Sequence, residues 1–184
     1  MPKKTDLSRR NAMLTGIVAL GAICSPSVSF ASLFKDTPRE LNLNNLHTGE
    51  ELLTEYFNGK SYQRSEMKKI NHFCRDFRRN ETINMDKRLF DQLSAIQQTI
   101  GCNSQVQLIS GYRSPETNKM LRGQSNGVAK KSMHMLGQAI DFRLQDVPLI
   151  EVKKAALSLK VGGVGYYPDS NFVHIDTGRF RTWG

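Results

Sequence analysis

The sequence predicts an α+β domain in which helices pack on one small, mostly antiparallel β-sheet. Three observations predict it. Helical periodicities come first along the chain, short alternating segments come mainly later, and the last two alternating segments sit close enough for a hairpin. The 184 residues are enough for one domain with a substantial core. Hydrophobic residues make up 39% and charged residues 23%, a balance that excludes global disorder. No internal repeat is visible.

Residues 1–31 read as a cleaved signal peptide, which leaves 32–184 as a single domain. Basic Lys3, Lys4, Arg9 and Arg10 precede an apolar run from Ala12 to Cys24 and a small-residue site at Ser29-Phe30-Ala31. That run has 13 residues, too few to span the ~30 Å hydrocarbon core of a bilayer. Ser8-Arg9-Arg10-Asn11-Ala12 resembles a twin-arginine signal, so the expected address is the periplasm, with no stable membrane insertion after cleavage. Cys24 falls in the discarded segment. The segment carries four basic residues and Asp6, so its removal lowers the formal charge from +9 to +6. A basic exported protein is drawn to anionic envelope polymers. Nucleic acid is excluded as a partner, because the charges are scattered and no nucleic-acid module is recognisable.

Residues 32–64 are polar and Asn-rich, with some helix expected around Glu50–Phe57. From Ser65, a candidate N-cap, Met67, Ile70, Phe73 or Cys74, and Phe77 recur at helical spacing, and arginines at 75, 78 and 79 suit the C-terminal end. A second helix is predicted from about Asp86 to Ile100, stopped by Gly101. Gln105–Ser110 alternates as a strand. Pro115 opens a short helix to about Arg122, and residues 123–133 form a loop. A strand over Gln138–Leu144, a helix over Val147–Leu159 and a hairpin of Gly162–Tyr167 with Asn171–Thr177 complete the reading. Cys74 and Cys102 are open to two readings, a disulfide or a buried free thiol.

Two segments carry the chemistry. In Ser132-Met133-His134-Met135-Leu136-Gly137-Gln138-Ala139-Ile140-Asp141, strand alternation puts Ala139 and Asp141 on one face and Ile140 and Phe142 on the other. In Phe172-Val173-His174-Ile175-Asp176-Thr177, His174 and Asp176 share a face. Such groups are costly to bury unless paired, and a metal would pair them. Zinc takes imidazole and carboxylate ligands and keeps an open position when catalytic, so His134, Asp141 and His174 form a candidate ligand set. Ordinary satisfied core histidines fit the same pattern. His47 and His72 have no comparable surroundings.

At these residues the sequence resembles the zinc D-alanyl-D-alanine carboxypeptidase family and its cell-wall endopeptidase relatives. The matching pattern is Ser132-x-His134-x-x-Gly137-x-Ala139-x-Asp141, followed by His174 on a later strand and preceded by Ser110-Gly111-Tyr112-Arg113-Ser114. The resemblance implies a Hedgehog/D-Ala-D-Ala-peptidase-like fold, one Zn2+ per chain, and hydrolysis of peptidoglycan stems and cross-links, including links between two diaminopimelate residues. It implies that Arg113 contacts substrate. The family's acidic general base, three residues before the last metal histidine, is Asn171 here and does not carry over. Asp176 takes its place as the candidate base, with orientation of His174 as its other role, and Asp169 is the rival. Ser132, Tyr112, Tyr166 and Tyr167 are candidate groove residues. Two other activities fit the same residues: trimming of a terminal D-alanine, and peptidoglycan binding without turnover.

Overall fold

The computed structural model describes residues 36–125 and 127–184, so the expected signal peptide lies outside the described residues. Along the chain come β1 (Pro38–Asn45), β2 (Glu51–Asn58), α1 (Arg64–Phe73), α2 (Arg88–Ile100), β3 (Val106–Ser110), α3 (Pro115–Gln124), a short 3-10 turn (Met133–Leu136), β4 (Ala139–Leu144), α4 (Leu149–Ser158), β5 (Gly163–Tyr167), β6 (Phe172–Asp176) and β7 (Arg181–Trp183). The strands form one sheet in the order β2-β1-β3-β4-β6-β5-β7. Its β1–β3 and β5–β7 pairs are parallel and the other neighbours antiparallel. This is the mostly antiparallel α+β sheet that the sequence predicts.

The N-terminal third departs from expectation. The segment expected to hold a helix around Glu50–Phe57 is strand β2, paired antiparallel with β1. Alternation is strict in β1, where Arg39, Leu41, Leu43 and Asn45 are buried. Two of these four are polar, which hides the period-2 pattern. Both find partners inside. Asn45 donates to the Phe73 carbonyl at 3.2 Å and accepts from His47 N–H at 3.0 Å. Arg39 pairs with Asp91 at 3.2 Å and lies 3.9 Å from the centre of the Phe57 ring. Tyr56 and Tyr62 donate to the same carboxylate, so one buried charge cluster ties β1 and β2 to α2.

Helix α1 begins after Gln63, so Ser65 lies within its first turn instead of capping it. The helix ends at Phe73, and the arginines expected at its end lie beyond it. Arg75 folds back onto Glu50 at 2.8 Å. Asp86 accepts the Arg88 N–H at the start of α2, and Gly101, at φ 78°, closes that helix in the left-handed region. Ser114 caps α3 by accepting from Thr117 N–H. Cys74 is buried and its thiol is pushed up to about 12 by desolvation. Both described cysteines are free.

The sheet's two faces divide the labour. Ile140 and Phe142 of β4, Val173 and Ile175 of β6, and Val164 of β5 join Leu89, Phe90, Leu93, Ile96, Val152 and Ala156 of α2 and α4 in the core. The residues between them, Asp141 and His174, are cross-strand neighbours in the β4–β6 register. A one-residue slip would exchange the two sets. Phe142 is fully buried. Phe142→Ala is expected to lose about 3–5 kcal/mol of unfolding free energy in urea titration; an unchanged midpoint would contradict this packing.

Candidate metal centre

His134 sits in the 3-10 turn between Ser132 and Gly137. Ser132 Oγ accepts the His134 N–H at 3.3 Å, and Gly137 takes φ 65° to turn the chain into β4. Arg113 N–H donates to the His134 carbonyl at 3.2 Å, tying the turn to the Gly111–Arg113 segment. The imidazole is fixed from the same segment: Nδ1 lies 2.7 Å from the Gly111 carbonyl. A carbonyl can only accept, so Nδ1 carries a proton, and Nε2 is the nitrogen turned toward Asp141 and His174. Gly111 itself is pinned. A Cβ there would stand 2.5 Å from the Cys74 carbonyl oxygen, and Tyr112 N–H donates to that same oxygen at 2.7 Å.

The strands supply the other two groups. Asp141 Oδ1 is 2.7 Å from His174 Nδ1, Asp141 Oδ2 is 3.2 Å from His134 Nε2, and the two ring nitrogens are 3.3 Å apart. One ligand atom from each of the three residues lies within 4.8 Å of the others, and no other such group of histidine, cysteine or acidic residues occurs among the described residues. His134 and Asp141 are buried. Burial alone would raise the Asp141 carboxyl, but His134 and His174 outweigh it and hold the group far below the usual carboxylate range. Burial pulls His174 down, yet its bonds to Asp141 and Asp176 overcome this and raise it to about 9.

Arg113 stands at the rim, its Nη2 3.7 Å from Asp141 Oδ2 and 3.2 Å from Ser110 Oγ. Burial lowers its pKa. With Lys131, Tyr167, Phe172, Arg181 and Trp183, it lines a groove that opens onto His134, Asp141 and His174. Asp176 lies behind His174, 3.4 Å from its Nε2, and is fully buried. Its two oxygens also accept from Gly163 N–H, Gly178 N–H and Arg181. Asp176 and Asp169 are both outside the groove lining; Asp169 lies in the exposed β5–β6 turn. Asn171, at φ 53°, holds a left-handed position in that turn, a conformation that asparagine tolerates better than most residues.

Ser132 is buried as the cap of the turn, though it also borders the groove. Tyr112 and Tyr166 pack against the core, and only Tyr167 of the three tyrosines lines the groove. His47 stacks on Phe77 and His72 is exposed on α1. The sequence reading assigned no role to Lys131, Arg181 or Trp183. Reading Arg181-Thr182-Trp183 as a strand would have placed the arginine and tryptophan on one face.

The charges set a pH dependence for chelator-treated protein. His174 is raised from its ordinary 6.5 to about 9, so its contribution to stability is complete below pH 6.5 and lost as pH rises through 9. Asp141 is depressed from 3.8, so its contribution is present above that value and lost on acidification. The thermal midpoint is expected to fall between pH 6.5 and 9 and to lose this fall in His174→Gln. A flat profile in the unsubstituted protein would contradict the pairing.

A family model described as peptidoglycan L,D-endopeptidase MepK matches residues 34–183. The peptidoglycan L,D-endopeptidase MepK of Escherichia coli is 53% identical over 180 residues, covering 98% of this chain and 99% of the relative, and that of Shigella flexneri matches equally. The probable peptidoglycan L,D-endopeptidase MepK of Haemophilus influenzae is 45% identical over 179 residues, covering 97% of this chain and 96% of the relative. The chain therefore belongs to the peptidoglycan L,D-endopeptidase MepK family.

Proposed function

We propose that this protein is a zinc-dependent endopeptidase that hydrolyses peptide cross-links of peptidoglycan, working in the periplasm after removal of residues 1–31 as a single peptidase domain. The observation that carries the reading is the convergence of His134, Asp141 and His174, with ligand atoms within 4.8 Å of one another at the floor of a groove. Near-full-length relatives named peptidoglycan L,D-endopeptidases support the substrate. Their L,D designation favours the link between two diaminopimelate residues.

The donor set fits one Zn2+ per chain. Two imidazole nitrogens and a carboxylate are zinc's preferred protein ligands in hydrolytic sites. The far nitrogen of each ring already has a partner, the Gly111 carbonyl for His134 and Asp176 for His174, which is the outer support that metal-bound histidines usually carry. Bound there, zinc would supply Lewis acidity, polarising a carbonyl and making water nucleophilic near neutral pH.

The chain's own groups do the rest. Arg113, fixed by Ser110 and half-turned toward Asp141, takes a stem-peptide carboxylate or the charge that develops on the scissile carbonyl oxygen. Lys131 adds positive charge along the groove, matched to an anionic peptide. Asp176 orients His174. Its burial and its bonds from Arg181 and two backbone N–H groups support this role over that of proton acceptor.

Digestion of purified peptidoglycan with mass analysis tests the proposal. Cross-linked dimers are expected to separate into monomers, and chelator to stop the reaction. His134→Ala, Asp141→Ala and His174→Ala are expected to abolish cleavage and zinc content together, and Arg113→Ala to slow cleavage by roughly 10²-fold or more. Full cleavage in excess chelator, or products shortened only by one terminal alanine, would overturn it.

A further inference from the structure

We infer that the C-terminal strand β7 is a built-in brace for the metal ligand His174, with Arg181 and Trp183 as positioning residues. The inference rests on the zinc reading above and extends it to a strand that supplies no ligand. Three strands lie side by side in the order β6-β5-β7. Across them run two parallel rows. In one row His174 pairs with Gly165, which pairs with Trp183; in the other, Gly163 pairs with Arg181 and stands next to Asp176. Residues two apart on a strand share a face, so both rows present their side chains on the face that carries the ligand.

The middle position of each row is glycine, and the space it leaves is filled. A Cβ on Gly165 would meet the Trp183 indole at 2.7 Å. A Cβ on Gly163 would meet both Arg181 Nη1 and Asp176 Oδ2 at 2.5 Å. The two glycines thus form a slot through which β7 reaches across β5 to β6. Arg181 grips the fully buried Asp176 with both Nη atoms, at 2.6 and 3.1 Å, and Asp176 stands 3.4 Å from His174 Nε2. Trp183 lies against the His174 ring, 5.3 Å between centroids, and is itself anchored by Nε1–H donating to Tyr167 Oη at 2.8 Å. The Arg181 guanidinium lies 4.8 Å from the Trp183 ring, which joins the two rows. His174 is therefore backed at its Nε2 edge by Asp176, which β7 grips, and flanked by the tilted Trp183 ring of the same strand, while Nδ1 faces Asp141.

Zinc affinity, measured by chelator competition on the exported chain, tests the brace. Arg181→Gln is expected to weaken zinc by up to roughly 10-fold, the lower end of the cost of losing an outer partner of a metal histidine, because Asp176 itself remains. Gly163→Ala is expected to weaken it too, although it removes no functional group, and Arg181→Lys to recover part of the loss. In 15N-edited spectra of zinc-loaded protein, the His174 Nε2–H signal is expected to be sharp, and to broaden by exchange in Arg181→Gln; circular dichroism reports that the fold is kept. Trp183→Phe, which keeps an aromatic face but drops the bond to Tyr167, gives a second, milder perturbation. Wild-type affinity and a sharp signal in both Arg181→Gln and Gly163→Ala would overturn the brace. His174→Ala separates the two levels: if that variant still binds zinc at wild-type affinity, the metal reading itself fails, and the brace with it.

Discussion

The antiparallel register between β4 and β6 sets Asp141 opposite His174, and the rest of the site depends on that pairing. The same register sends Ile140, Phe142, Val173 and Ile175 into the core. Hydrophobic burial on one face therefore fixes the alignment of charged groups on the other. Because side chains alternate with a period of two, a one-residue slip would turn the apolar set out of the core and the carboxylate and imidazole into it. The core does not merely support the site. It excludes the one-residue slips that would turn the site's side chains inward.

Such a site concentrates charge where charge is costly. Asp141 and Asp176 are buried carboxylates, and each survives as an anion because it is surrounded by donors. Asp141 has the two imidazoles and Arg113 nearby. Asp176 has Arg181, His174 and two backbone N–H groups. The distant Arg39–Asp91 pair obeys the same rule with two tyrosine hydroxyls and no opening to a groove. The contrast is informative. A buried ion pair closed by tyrosines ties strands to a helix; the cluster proposed to hold zinc instead has ring nitrogens that face one another beside a groove.

The strands that build the site were legible because their apolar residues alternate cleanly: Ile140 with Phe142, and Val173 with Ile175. Helix α2 was legible from its apolar spacing and its glycine stop. The N-terminal hairpin was not, because Arg39 and Asn45 occupy inward positions, where their satisfaction depends on Asp91 and Phe73, far away in sequence. The convergence of His134 with Asp141 and His174 could be suspected from residue type and strand face, but the lock on its tautomer could not: it needs Gly111, brought close by the end of α1. Asp176 was read as the candidate base, or as the group that orients His174, because it shares a face with that histidine. Its burial follows from Arg181, and β7 is too short for periodicity to reveal.

The central claim is that two imidazoles and a carboxylate share one cation. Anomalous diffraction at the zinc edge from crystals of the mature protein tests it most directly. A single strong peak bounded by His134 Nε2, His174 Nδ1 and the Asp141 carboxylate is the result this account predicts. Zinc-soaked crystals with no peak there, or with those three side chains hydrogen-bonded to one another around ordinary water density, would contradict it.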